Sequence, residues 1–279
     1  MIREEDFSMA LLQVNYLSKA LFRTVQLQVI LPVDKITFQN MNYLMKPGQK
    51  FKTLYLLHGL LGNDMDWISG TRIQRWAEEK NLAVIMPSGE NSFYVNGVLP
   101  NSRYGEFIGH ELVEITRKMF PLSDKREDTF IGGLSMGGFG AIRNGLKYSD
   151  TFGNIACLSG ALHVMDPYSD NFAGVSKIFG NMESAAKSDM NPLVAMKNLI
   201  TAGREKPDIY IACGLEDSLL KVNRRYRDIL TENGFNVVYE EEPGGHEWDF
   251  WDRQIKKVIE WLPLSESSSG LSSGNVRGD

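Results

Sequence analysis

Apolar and polar residues alternate from Ala10 to Pro32, first in L-L-Q-V-N-Y-L and then in L-F-R-T-V-Q-L-Q-V-I-L-P. A period of two built from β-favouring residues predicts an antiparallel pair of opening strands. Residues 33 to 50 break the alternation and read as a loop. Beyond them short, solidly apolar runs take turns with amphipathic stretches. The runs are T-L-Y-L-L-H at 53–58, L-A-V-I-M-P at 82–87, T-F-I-G-G at 129–133, N-I-A-C-L-S at 154–159, D-I-Y-I-A-C at 208–213 and N-V-V-Y-E-E at 236–241. Helices are expected near Arg72 to Lys80, from about Tyr104 to Phe120, and from about Gly137. Two more carry Val222, Tyr226 and Ile229, and Trp251, Ile255, Val258 and Leu262. In the Tyr104–Phe120 helix, Ile108, Leu112, Ile115 and Met119 fall on one apolar face.

Strands that are apolar throughout are buried on both faces, and helices between them supply the crossovers of a mainly parallel sheet. The element order is that of an α/β-hydrolase. An α/β protein is therefore expected, a three-layer α/β-hydrolase fold with a mainly parallel eight-stranded sheet, helices on both faces, and a small insert before the penultimate strand. That insert, residues 161–205, exceeds an ordinary βα connection and is a candidate cap over a site. The hydrolase domain is expected over 1–263, with a flexible Ser/Gly-rich tail over 264–279.

Composition agrees with one well-cored domain: 279 residues, 43% hydrophobic and 23% charged. A net charge of -5 and the lack of any Lys/Arg run argue against a nucleic-acid partner. The start, M-I-R-E-E-D-F, has no apolar signal core, and no apolar run approaches membrane-spanning length. A cytoplasmic protein without a membrane partner is expected, and self-association stays open. The two cysteines, Cys157 and Cys213, each lie inside an apolar strand, as buried reduced thiols do. No metal-ligand cluster is visible, and no metal is expected.

The pattern Gly-x-Ser-x-Gly occurs twice, around Ser135 in G-L-S-M-G and around Ser272 in G-L-S-S-G. A nucleophile elbow needs a strand before the serine, a helix after it, and glycines where side chains would collide. Ser135 has that context, whereas Ser272 sits in polar tail. Serine also needs a base. Of the four histidines, only His246, in P-G-G-H-E-W beyond the last strand, follows the Ser, acid, His order of this fold. His58 precedes the elbow, His110 faces solvent, and His163 opens the insert. The acid belongs just past the penultimate strand, where Glu216 and Asp217 both qualify by position, Asp217 also as a plain helix cap. Oxyanion donors are expected from the backbone N–H of Met136 and of Leu60 in H-G-L-L-G.

Several pieces together resemble the esterase D family of α/β-hydrolases, and within it the bacterial tributyrin-esterase-like branch. They are L-Y-L-L-H-G-L-L-G, Phe93-Tyr94, Y-G-E-F at 104–107, F-I-G-G-L-S-M-G-G-F-G-A at 130–141, L-S-G-A-L at 158–162, C-G-L-E-D at 213–217 and P-G-G-H-E-W-D-F-W at 243–251. The resemblance implies a Ser135, Asp217 and His246 triad and cofactor-free hydrolysis of short-acyl carboxylic esters, with small-molecule esters as substrates. It leaves S-formylglutathione hydrolase, feruloyl or acetyl-xylan esterase and acyltransferase as alternatives. Leu134 stands where the formylglutathione enzymes usually carry His, which weighs against a thioester. Trp67, Phe93, Tyr94, His163 and Trp248 are expected to bind substrate, the aromatic four crowding the rim and narrowing the pocket. The terminal Arg277-Gly278-Asp279 matches an integrin-binding tripeptide, a short match in a polar tail.

Overall fold

The opening alternation becomes a hairpin. Strands β1 (Ala10–Ser18) and β2 (Arg23–Leu31) pair antiparallel along their whole length, with Ala10 opposite Leu31 and Ser18 opposite Arg23. A computed structural model describes residues 10–33, 48–166 and 175–265 of the chain. The apolar runs form β3 (Thr53–Leu57), β4 (Ala83–Pro87), β5 (Thr129–Leu134), β6 (Asn154–Leu158), β7 (Asp208–Gly214) and β8 (Val237–Glu242). Together they make one eight-stranded sheet, ordered β1-β2-β4-β3-β5-β6-β7-β8. Only the β1–β2 and β2–β4 pairings are antiparallel.

Side-chain alternation along these strands splits the core in two. Tyr55, Leu57, Ile131, Ile155 and Ile211 face one layer, while Leu54, Leu56, Phe130, Ala156 and Ala212 face the other. Helices α1 (Asp66–Gly70) and α2 (Ile73–Glu79) follow β3. After β4 come α3 (Tyr104–Glu106), a π-helical turn at Phe107–Glu111, and α4 (Leu112–Met119). Helix α5 (Met136–Lys147) follows β5. The insert holds α6 (Val175–Phe179), α7 (Met182–Ala186) and α8 (Pro192–Thr201), and α9 (Leu220–Glu232) and α10 (Trp248–Trp261) close the series. Trp76 of α2 and Ile255 and Val258 of α10 cover one face, and Phe139 and Ile142 of α5 and Tyr226 of α9 the other. The expected three-layer α/β-hydrolase architecture is therefore observed.

One expectation needs correction. The Ile108, Leu112, Ile115, Met119 face does not hold. Ile108, Leu112, Val113 and Thr116 are buried, and Met119 is 47% exposed. The π-helical turn, in which the N–H of Leu112 reaches back to the carbonyl of Phe107, inserts an extra residue and rotates every later side chain around the axis. The insert is anchored at its C-terminal end. Its last helix, α8, sends Ala195, Met196 and Leu199 into the core beside α5. Buried Arg143 of α5 ties down the preceding turn, donating to the Asp189 carbonyl at 2.8 Å and its carboxylate at 3.1 Å. The tail from Glu266 onward, with Ser272 and Arg277-Gly278-Asp279, lies outside the described residues, as do residues 34–47 of the expected loop.

Candidate active site

Strand β5 is buried along its length and leads into Ser135, whose φ of 54° and ψ of -117° put a non-glycine residue in strained backbone. The turn is tight enough to demand its glycines. A Cβ on Gly137 would meet the Leu57 carbonyl oxygen at 2.3 Å, and one on Gly133 the Gly137 carbonyl at 2.6 Å. Both obstacles are backbone and cannot swing aside. Ser135 N–H donates to Leu158 of β6 at 2.9 Å, and its carbonyl accepts from Phe139 at 3.1 Å and Ala161 at 3.0 Å. The strain is thus held from two strands and a helix.

Across the sheet end, Ser135 Oγ lies 3.0 Å from His246 Nε2, and His246 Nδ1 lies 2.9 Å from Asp217 Oδ2. An ionised carboxylate can only accept, so the Nδ1 proton goes to Asp217 and Nε2 is left to accept the serine hydroxyl. Burial alone would push the Asp217 carboxyl up. Donation from His246, the Leu219 N–H and Ser159 outweighs it and holds the group below the usual carboxylate range. Asp217 also caps the turn into α9, accepting from Leu219 N–H at 2.8 Å. The two readings of Asp217 describe one residue. Glu216 points the other way and accepts the Gly244 N–H at 2.6 Å. Since Gly244 has φ 144°, that bond fixes the turn that presents His246.

The H-G-L-L-G loop closes over the elbow. A Cβ built on Gly59 would lie 3.6 Å from that of Ser135. The N–H groups of Leu61 and Gly62 are taken by Asn91 Oδ1 at 2.7 Å and the Gly59 carbonyl at 3.3 Å. His58, read from the sequence only as preceding the elbow, anchors this loop from below. It is buried, its Nδ1 sits 2.7 Å from the Gly59 carbonyl, and Gly89 N–H donates to its Nε2 at 2.8 Å. Nδ1 therefore carries the proton, and burial keeps the ring neutral by pushing its pKa down. Its place in the H-G pair that opens this loop was the available signal.

Three of the expected rim residues are core residues. Trp67 is 1% exposed and donates its indole N–H to the Leu57 carbonyl at 3.0 Å. Phe93 packs against Phe139 and Phe179 at ring separations of 5.6 and 5.5 Å, and buried Tyr94 donates to the His58 carbonyl at 3.0 Å. Each stabilises a site loop from inside, because a large ring buries more apolar area there than at an edge. Trp248 is half-buried between Trp67 and Trp251. His163 is half-buried, with an Nδ1 that meets no hydrogen-bond partner among the described residues. His110 is exposed, as expected. A cleft of about 760 Å³ runs from Leu61 past Phe22, Arg23, Glu90 and Leu99 to Ile178. Ser135 is not among its lining residues.

Residues 18–262 match the Esterase family model. The chain belongs to the Esterase family. An acetyl esterase of Caldicellulosiruptor saccharolyticus is 43% identical over 272 residues, covering 91% of this chain and 98% of its own. Among solved structures, the fluorophosphonate-binding serine hydrolase FphF of Staphylococcus aureus is similar at a TM-score of 0.80 and 33% identity, over 92% of this chain and 99% of that one. S-formylglutathione hydrolase FrmB of Staphylococcus aureus is similar at 0.78 and 32%, over the same shares. The chain is a carboxylic ester hydrolase of the serine type, with the esterase D resemblance and the α/β-hydrolase fold both upheld. No helix among the described residues is long and apolar enough to cross a membrane.

Proposed function

We propose that the enzyme hydrolyses short-acyl carboxylic esters through an acyl-enzyme on Ser135, with His246 as base and Asp217 as the orienting acid. The observation that carries this reading is the series Ser135 Oγ, His246, Asp217, at 3.0 and 2.9 Å, set at a strained strand-to-helix turn. His246 Nε2 takes the hydroxyl proton as Oγ attacks the ester carbonyl. The carbonyl oxygen, now an oxyanion, is met by the N–H groups of Leu60 and Met136. The protonated imidazole then passes its proton to the leaving alcohol, and the ester C–O bond breaks. Water enters and gives a proton to His246 as it attacks the acyl carbon; the bond from that carbon to Oγ then breaks, His246 returns the proton to Oγ, and the acid leaves.

The 43% identity to an acetyl esterase supports a short acyl group. The cleft beside Leu61 suits the larger half of the ester, with Phe22 and Leu99 as apolar walls and Arg23, paired with Glu90, as a polar one. A thioester reading draws on the 32% identity to an S-formylglutathione hydrolase. The working unit is residues 1–263 with the 161–205 insert inside it, the tail following, and the setting is cytoplasmic. A series of p-nitrophenyl esters tests the acyl preference: acetyl to butyryl should be turned over best, and undiminished kcat/KM beyond six carbons would overturn it. S-formylglutathione in the same assay decides between ester and thioester.

A further inference from the structure

The turn between β1 and β2, Lys19–Phe22, brings Leu21, Phe22 and the adjoining Arg23 to the wall of the cleft beside Leu61. Ala20 and Leu21 are buried in the core. Phe22 is exposed and has φ 51°, a left-handed conformation that a non-glycine residue keeps only where the chain on either side is held. On one side the hold comes from Glu111. Its carboxylate accepts the Lys19 N–H on Oε1 at 3.1 Å and the Ala20 N–H on Oε2 at 2.6 Å, while the Leu21 N–H goes to Ser18 Oγ at 3.1 Å. On the other side, Arg23 donates to the Tyr104 hydroxyl at 2.6 Å and pairs with Glu90. Glu111 is the last residue of the π-helical turn Phe107–Glu111, a helix defect of a kind that recurs at functional sites. Tyr104 opens the same helical stretch and lines the cleft itself. One stretch of helix thus tethers the turn from both ends.

We propose that Glu111 is a positioning residue for substrate selection: its carboxylate clamps the β1–β2 turn so that Phe22 and Arg23 form a fixed wall of the cleft. The proposal rests on the reading above, that the cleft beside Leu61 receives the larger half of the ester. A carboxylate that accepts two neighbouring N–H groups makes two charge-assisted bonds, each stronger than a bond between neutral groups. Without them the turn keeps its buried Leu21 and the Arg23 contacts, so the fold stands while the tip gains freedom. A wall that moves has to be ordered again by every bulky alcohol portion that packs on it, and that ordering weakens binding. An alcohol portion too small to reach Phe22 is indifferent to it. Glu111 acts at the turn and not at Ser135, His246 or Asp217, so the acyl-enzyme and its breakdown are unaltered.

The test compares Glu111→Ala and Glu111→Gln on p-nitrophenyl acetate and the bulkier umbelliferyl acetate, which form the same acetyl-enzyme. In Glu111→Ala, KM for umbelliferyl acetate should rise about fivefold with kcat within about twofold, the pattern of lost binding rather than lost chemistry. Both constants for p-nitrophenyl acetate should stay within about twofold. Glu111→Gln keeps an oxygen for one of the two N–H groups and should fall between the alanine variant and the unaltered protein. Amide hydrogen exchange over residues 19–22 should quicken in both variants and stay as it is in β5. Unchanged exchange over the turn overturns the clamp. Equal losses on the two esters, or none on either, overturn the selection role. Phe22→Ser combined with Leu61→Ser separates the layers. If that variant raises KM for umbelliferyl acetate and Glu111→Ala does not, the positioning role falls alone. If it leaves that KM unchanged, the cleft is no substrate site and the proposal falls with it.

Discussion

Glu216 and Asp217 adjoin in the chain, yet one carboxylate meets His246 and the other the Gly244 backbone. Asp217→Asn should therefore lose on the order of 10⁴ in kcat, because an amide in that place favours the wrong imidazole tautomer. Glu216→Gln keeps an oxygen that can accept the Gly244 N–H, and should stay within about tenfold, a difference of about 1.4 kcal/mol. Circular dichroism on both variants separates a catalytic loss from a lost helix cap. A dead Glu216→Gln beside an active Asp217→Asn would transfer the acid role to Glu216. A fluorophosphonate adduct should map by mass spectrometry to Ser135. An adduct on Ser272 would mean that the elbow is not the reactive turn.

The elbow and the loop anchored by His58 make separate demands as elements. Gly137→Ala places a methyl against the Leu57 and His58 carbonyls, at 2.3 and 2.6 Å, and neither strand end can retreat. A loss of about 3 kcal/mol or more is expected from such overpacking, read as a lower urea midpoint. His58 should add its own pH dependence to folding. Burial depresses its folded pKa, outweighing the hydrogen bond to Gly59 and the charges of Asp66 and Asp64. The unfolded ring titrates near about 6.5. Below that pH the unfolded chain takes up a proton that the folded chain refuses, so stability falls as pH drops from about 6.5, by at most about 1.4 kcal/mol per unit. Above it the ring contributes no slope. Urea midpoints at pH 7 and pH 5 should differ less for His58→Gln than for the unaltered protein; an equal difference would assign the slope to other groups.

For the molecule as a whole, the cleft beside Leu61 predicts how size is read. Phe22 and Leu61 are 79% and 80% exposed on its walls. Replacing both by serine should raise KM for esters of bulky alcohols several-fold and leave p-nitrophenyl acetate unchanged; equal effects on both would remove the cleft from substrate binding. The strands and their order were legible in the residues, since a run such as T-L-Y-L-L can satisfy its backbone and hide both faces only inside a sheet covered on two sides. So was Ser135, because glycines at Gly133 and Gly137 after an apolar strand have few other uses. His246 and the Glu216–Asp217 pair followed from their places at strand ends. The choice between those two carboxylates and the core placement of Trp67, Phe93 and Tyr94 belong to tertiary structure. Periodicity reports which residues avoid water, whereas a hydrogen bond depends on where two distant strand ends and a helix bring their side chains. Likewise the extra residue of the π-helical turn at Phe107–Glu111 is set by packing, with Gly109 lying where a Cβ would strike Tyr148 at 2.1 Å, and no local pattern announces it.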